Sequence, residues 1–219
     1  MNAFDILGPV MIGPSSSHTA GAVRIGRITR MFLGSEPVKA DILLHGSFAK
    51  TYKGHGTDKA LIAGIMGMNT DDSRIRRAPE LAEQAGLEIV IHTGEIDGAH
   101  PNTACITLTD AAGKTVSLMG SSIGGGNILV TKLNGMEVYV TGQKATLIVL
   151  HQDVPGIIAA VTEIAAEAGV NICNFRLSRQ QRGGEAVMTI EMDGEFQEDL
   201  NEKIKQLPNI YSSILVKPI

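Results

Sequence analysis

The sequence predicts an α+β protein in two parts: a mixed α/β domain over residues 1–141 and a ferredoxin-like βαββαβ domain over residues 146–219. Three observations carry this expectation. The last third of the chain alternates short β-branched runs with two amphipathic segments in the βαββαβ order. Residues 87–140 hold five short strand-like runs separated by Gly, Asp-Gly and Asn-Gly pairs. The first third sets polar, glycine-bearing stretches directly against apolar helical or extended runs.

Composition narrows the function classes. At 219 residues, with 43% hydrophobic and 19% charged residues, the chain is long enough to bury a core in each part. Aromatic residues make up 4%, Trp is absent and the formal charge is −4, so neither stacking platforms nor a basic phosphate-binding surface is expected. No apolar run has the length of a membrane span and residues 1–12 lack a basic leader region, which points to the cytoplasm. Cys105 and Cys173 are far apart in sequence, so disulfide and zinc frameworks are not expected and both read as core thiols.

The densest polar stretch runs from Gly13 to Gly21, with Ser15, Ser16, Ser17, His18 and Thr19 ahead of an apolar segment from Ala20 to Leu33. That segment is expected to be a helix, with Ser17 or Thr19 as its cap and Gly34 as its end. A helix start with free N–H groups favours an anion, and an imidazole there can exchange a proton near neutral pH. Arg24, Arg27 and Arg30 recur along one side and read as a solvated face, with Arg24 near enough to the start to assist an anion.

Val38 to Leu44 reads as a strand that runs into a second polar constellation, expected as a loop: His45-Gly46-Ser47, Thr51, then Gly54-His55-Gly56-Thr57-Asp58. The two glycines leave His55 unshielded, and Thr57 or Asp58 can cap the apolar run Ala60 to Met66, with a catalytic role for Asp58 equally open. Arg74, Arg76 and Arg77 sit in a charged linker before a short helix at Pro79 to Ala85, and His92 and His100 lie outside either cluster. Strands follow at Leu87 to His92, Ala104 to Leu108, Thr115 to Leu118, Ile128 to Leu133 and Met136 to Val140, with Asn134-Gly135 as a two-residue hairpin signal. Between them Gly120 to Asn127 forms a Gly-rich stretch able to cradle an oxyanion, although it fits neither nucleotide-loop spacing.

In the second part, strands are expected at Thr146 to Leu150, Val170 to Leu177, Ala186 to Met192 and Ile210 to Val216. The helices are expected at Pro155 to Ala168, capped by Asp153 and closed by Gly169, and along Phe196, Leu200, Ile204 and Leu207. Through His151-Gln152-Asp153-Val154-Pro155-Gly156 and Gly169-Val170-Asn171-Ile172 this part resembles an ACT domain, most like the serine-sensing one of phosphoglycerate dehydrogenase. The resemblance implies a regulatory ligand at His151, Asp153 and Asn171. An ionised Asp153 stands where that pattern has Asn; it accepts hydrogen bonds without donating them, which suits an ammonium rather than a carboxylate.

Gly13-Pro14-Ser15-Ser16-Ser17-His18-Thr19, His45-Gly46-Ser47, Gly54-His55-Gly56-Thr57-Asp58 and Gly124-Gly125-Gly126-Asn127, together with the ACT domain, resemble the β chain of iron–sulfur-dependent L-serine dehydratase over essentially the whole chain. The resemblance implies conversion of L-serine to pyruvate and ammonia through an aminoacrylate. It implies His18 and His55 as catalytic groups, and substrate contacts from Ser15, Ser16, Ser17, Thr19, Ser47, Thr57, Asp58, Gly125 and Asn127. A 4Fe-4S cluster needs several thiolates, which two separate cysteines do not supply, so the cluster is expected on a partner α subunit, with a β homodimer through the ACT domain. Two other readings stay open: a pyridoxal-phosphate-type dehydratase component using Lys50, Lys53 or Lys59, and a non-catalytic amino-acid sensor.

Overall fold

The computed structural model describes residues 15–194 and 198–218, so Gly13, Pro14 and Phe196 of the motifs above lie outside the described residues. The chain divides into two compact units between Gly135 and Met136.

In the first unit the chain enters through a π-helical turn, Ser16–Gly21, that continues into α1 (Ala22–Leu33). The cap is Ser15, not Ser17 or Thr19: its backbone is extended and its Oγ accepts the His18 amide at 3.2 Å, while Ser17 and Thr19 are already inside the turn. Gly34, at φ 75°, ends α1 with its amide on the Arg30 carbonyl, the left-handed exit glycine allows. β1 (Pro37–Leu44) follows, then α2 (Gly46–His55), α3 (Thr57–Ile65), a 3₁₀ turn Ser73–Arg77 and α4 (Ala78–Gln84). α2 corrects the expected loop. Its first amides, of Ser47 and Phe48, are capped by the Pro101 carbonyl at 2.7 and 3.4 Å, a contact invisible in the local sequence.

Strands β2 (Glu88–Thr93), β3 (Thr103–Asp110), β4 (Thr115–Gly124) and β5 (Asn127–Leu133) pair in the order β2-β1-β3-β4-β5. β1 and β2 run parallel, since the helices between them carry the chain back; the other pairs are antiparallel. Residues alternate by face. Ile42, Leu44, Ile106, Leu108, Leu118 and Ile128 are buried, while Asp41, Thr107, Ser117 and Leu129 on the other pleat keep partial exposure. α1 and α3 cross with their backbones in contact: a Cβ on Gly26 would stand 2.4 Å from the Leu61 carbonyl, and one on Gly64 2.1 Å from that of Val23. Only glycine permits this approach.

The expected Gly-rich cradle is instead a hairpin tip. β4 runs through Ser121 and Ser122 to Gly124, which pairs with Asn127 across Gly125 and Gly126, and all three glycines take positive φ. Asn134 and Gly135 both have positive φ, as a type I′ turn requires.

In the second unit β6 (Met136–Val140) precedes β7 (Ala145–Gln152), α5 (Ile157–Glu167), β8 (Asn171–Arg179), β9 (Glu185–Asp193), α6 (Glu198–Lys205) and β10 (Ile210–Val216). The sheet is antiparallel in the order β10-β7-β9-β8, the ferredoxin-like arrangement. Leu147, Val149, Met188 and Ile190 face Val161, Ala165, Leu200 and Ile204 of the two helices. Gly169 closes α5 as expected, but Asp153 does not cap it: the first residue ahead of the helix is Gly156, and the Asp153 carboxylate binds Arg179 and the Gly183 amide at the β8–β9 turn. Cys173 is exposed rather than a core thiol, and Cys105 is half-buried.

Candidate functional site

His18 sits at the centre of the site, where the π-helical turn and α2 meet. The π-helical turn carries it inward until it is 8% exposed; such turns occur often at functional sites, since the extra residue redirects a side chain. α2 meets it twice. Phe48 and His55, seven residues apart, share one helical stripe; their rings lie 5.3 and 4.7 Å from the His18 ring, and that of His55 is nearly perpendicular to it. Both ring nitrogens have a hydroxyl within reach: Ser15 Oγ is 3.4 Å from Nδ1, and Ser47 Oγ is 3.3 Å from Nε2. The structure thus brings His18, His55, Ser15 and Ser47 together from separate motifs.

Burial, and secondarily the charge His55 can carry, pushes the His18 pKa below the usual imidazole value. His18 is therefore held neutral at neutral pH, with one lone pair free to accept a proton, whereas His55 is exposed at the end of α2.

Thr19 and Thr57 are buried, and their Oγ1 atoms, like Ser122 Oγ, have no hydrogen-bond partner among the described residues. Such hydroxyls cost about 1–3 kcal/mol each when left unsatisfied, so they are groups that a ligand or water would pair. Thr57 opens α3, where Gly56 takes the cap position in a left-handed conformation without a side-chain bond. Neither Thr57 nor Asp58 caps the helix in the expected way. Ser16 and Ser17 are half-buried on the π turn. Asp58 is not part of the group: its Oδ1 accepts the Lys59 amide, and it lines a groove with Ile62, Pro79, Leu87 and Ile91 that includes none of His18, Ser47 and His55.

Arg24 departs from the expected solvated face. Its Nη1 donates to the Gly126 carbonyl at 2.7 Å, which ties the hairpin tip bearing Gly125 and Asn127 to α1, and its pKa is lowered by burial and then by Arg27. Arg30 donates to the Ile65 carbonyl and pairs with Glu36. Lys50, Lys53 and Lys59 are exposed.

Sequence reasoning missed the segment 94–102, between β2 and β3. It binds α2 through Pro101 and also His45, whose Nδ1 accepts the Ile96 amide at 3.0 Å. His100, which lies outside either polar cluster of the sequence, turns this segment by accepting the Asn102 amide and the Thr103 hydroxyl. No local pattern signals such contacts.

In the second unit His151 is 2% exposed. Its Nδ1 lies 2.7 Å from the Gln152 carbonyl and donates there, and the buried Nε2 has no hydrogen-bond partner among the described residues. Asn171 donates to Asp193, and the Asp153 carboxyl is held below its usual range by the Gly183 amide and then Arg179.

The profile described as Serine dehydratase beta chain matches residues 2–88, and that of the AHAS small subunit-like ACT domain matches residues 147–212. The probable L-serine dehydratase, beta chain, of Bacillus subtilis (strain 168) is 45% identical over 209 residues, covering 95% of this chain and 94% of that one. The L-serine dehydratase, beta chain, of Peptoniphilus asaccharolyticus is 36% identical over 204 residues, covering 93% and 92%. The chain belongs to the L-serine dehydratase β-chain family. The D-3-phosphoglycerate dehydrogenase of Methanocaldococcus jannaschii is similar across both units, 26% identical over 205 residues, 91% of this chain and 37% of that one.

The described residues offer no side-chain set that fits an iron–sulfur cluster. Among the described residues no group of three or more His, Cys, Asp or Glu is placed to hold a metal ion. Burial raises the Cys105 pKa, which disfavours the thiolate that would ligate iron. No described helix is long and apolar enough to cross a membrane.

Proposed function

We propose that this chain is the β subunit of a cytoplasmic, iron–sulfur-dependent L-serine dehydratase, which converts L-serine to pyruvate and ammonia together with a cluster-bearing α subunit. The observation that carries this reading is the His18–His55 pair, 4.7 Å between ring centroids, with hydroxyls at both nitrogens of the buried ring. Elimination of water from serine needs a base for the weakly acidic Cα proton and donors for the carboxylate. Neutral His18 supplies the lone pair, held in aim by Ser15 and Ser47. His55, open to solvent, passes the proton on or orients the amino acid. Thr19 and Thr57 bring unpaired hydroxyls to the carboxylate, supported by Ser16, Ser17 and the hairpin tip at Gly125 and Asn127. Asp58 takes no part in this scheme. The aminoacrylate released after loss of the hydroxyl hydrolyses without further help.

Because the cofactor is assigned to the α subunit, the isolated β chain is expected to be inactive. Reconstituted with its partner, His18→Asn and His55→Asn should each lower kcat by ~10²–10⁴-fold. Near-normal turnover in both variants would overturn the assignment. A β homodimer through the ACT domain completes the proposal, and a monomeric mass at high concentration would count against it.

A second reading, a non-catalytic amino-acid sensor, is favoured by the buried, unpartnered His151 Nε2 and by a similarity to phosphoglycerate dehydrogenase that spans both units. There Nε2 and Asp153 would take an ammonium, while Asn171 stands at the other end of β8, paired with Asp193. Serine binding by the isolated chain, with full activity in the α subunit alone, would establish it.

A further inference from the structure

His45 lies one residue before α2 and is 8% exposed, yet it takes no part in the contacts around His18. Its backbone amide donates to Thr103, and its Nδ1 accepts the amide of Ile96 at 3.0 Å. The segment pinned in this way returns to α2 five residues later, where the Pro101 carbonyl accepts the amides of Ser47 and Phe48. Gly46, between them, is at φ 59°, and a Cβ there would stand 2.6 Å from the Pro101 oxygen. The helix end that presents Ser47 to His18 and Phe48 to the same ring is therefore built by residues 94–102 and not by α2 itself.

We propose that His45 is a positioning residue: by accepting the Ile96 amide at Nδ1 it pins the 94–102 segment, and through the Pro101 cap it sets Ser47 against His18. The proposal rests on the reading of His18 as a reacting group only for its effect on turnover. Only an imidazole with a free Nδ1 lone pair accepts the Ile96 proton. Once protonated, the ring has no acceptor for Ile96, and the Glu95 carboxylate, 3.2 Å from the same nitrogen, becomes its partner. The titratable groups on the surrounding elements are Glu95, Asp97 and His100 on the segment, His18 on the π turn, and Lys50, Tyr52, Lys53 and His55 on α2. Among these, Glu95 is the one in ion-pair contact with Nδ1. Acid therefore releases the pin.

NMR of the full-length chain tests this without recourse to activity. The Ile96 amide proton should move upfield as acid protonates the His45 ring. His45→Leu should speed exchange of that amide at least tenfold and shift the His18 ring nitrogens, whereas His45→Asn, whose Oδ1 can stand in for Nδ1, should retain both signals. The amides of Ile106 in β3 and Leu147 in β7 report that the fold persists. In the active complex His45→Leu should lower kcat by roughly tenfold to a hundredfold, the scale of a misplacement of about 1 Å, with His45→Asn restoring it. An Ile96 amide indifferent to the His45 titration overturns the proposal, and this holds even where His45→Leu does not fold. So does a folded His45→Leu protein with unchanged Ile96 and His18 signals, or an Asn variant as impaired as the Leu one. The NMR results stand whatever the chain catalyses, so failure of the dehydratase reading would show only in the turnover arm.

Discussion

Protonating His18 works against its surroundings, since its ring is buried and faces a second imidazole. An unfolded histidine titrates near 6.5, and the folded one lower. Between the two values the unfolded chain holds a proton that the native chain does not, so this group's stability contribution is complete above about pH 6.5 and declines as pH falls below it. Denaturant unfolding at pH 7.5 and pH 5.5 should show a stability loss that His18→Asn makes smaller; an undiminished loss would mean that His18 is not the source. Ser15 acts at the same scale. As the cap of the π turn it satisfies the His18 amide, so Ser15→Ala should cost about 1 kcal/mol, read as a lower midpoint in the same experiment. The residue types of this site were legible, because hydroxyls and imidazoles beside glycines have little use in a core. Which of them meet was not, and Asp58, equally polar, faces another groove.

The elements differ in how plainly the sequence announces them. α1 has a full apolar stripe and a glycine exit, and the sequence places it to within two residues. α2 has glycines at both ends and a single fully buried side chain, Phe48, so local propensity argues for a loop; the Pro101 carbonyl and the packing of Phe48 against His18 make it a helix. The second half of β4, from Gly120, reads as a Gly-Ser loop for the same reason. Its Ser121 and Ser122 are in strand register with β5, and a Cβ on Gly21 of the π turn would stand 2.1 Å from Ser122 Oγ. The α1–α3 crossing makes the sharpest test at this scale. Gly64→Ala must push apart two helices in backbone contact and should cost roughly 1–3 kcal/mol, measured by thermal unfolding, even though alanine is the better helix former. A melting temperature equal to that of the native chain would show that the crossing relaxes without cost.

At the scale of the molecule each unit has its own core, and β6 packs on β8 and β9, with Arg176 stacked 4.4 Å from the Tyr139 ring. A fragment 136–219 should therefore unfold cooperatively, and one beginning at residue 146 should be less stable because β8 and β9 lose that cover. Circular dichroism melts of the two fragments decide this, and equal midpoints would refute it. The sequence by itself determined the α+β class, the two parts, the order βαββαβ and the presence of two histidine motifs among small donors. These properties depend on local periodicity and on glycine placement, which act within a few residues. Only the tertiary structure decided that His18 and His55 face each other, that Ser47 rather than Asp58 joins them, and that residues 94–102 hold the helix between. Those outcomes depend on the crossing of α1 and α3, on sheet register and on a carbonyl far along the chain, and no local pattern encodes such contacts.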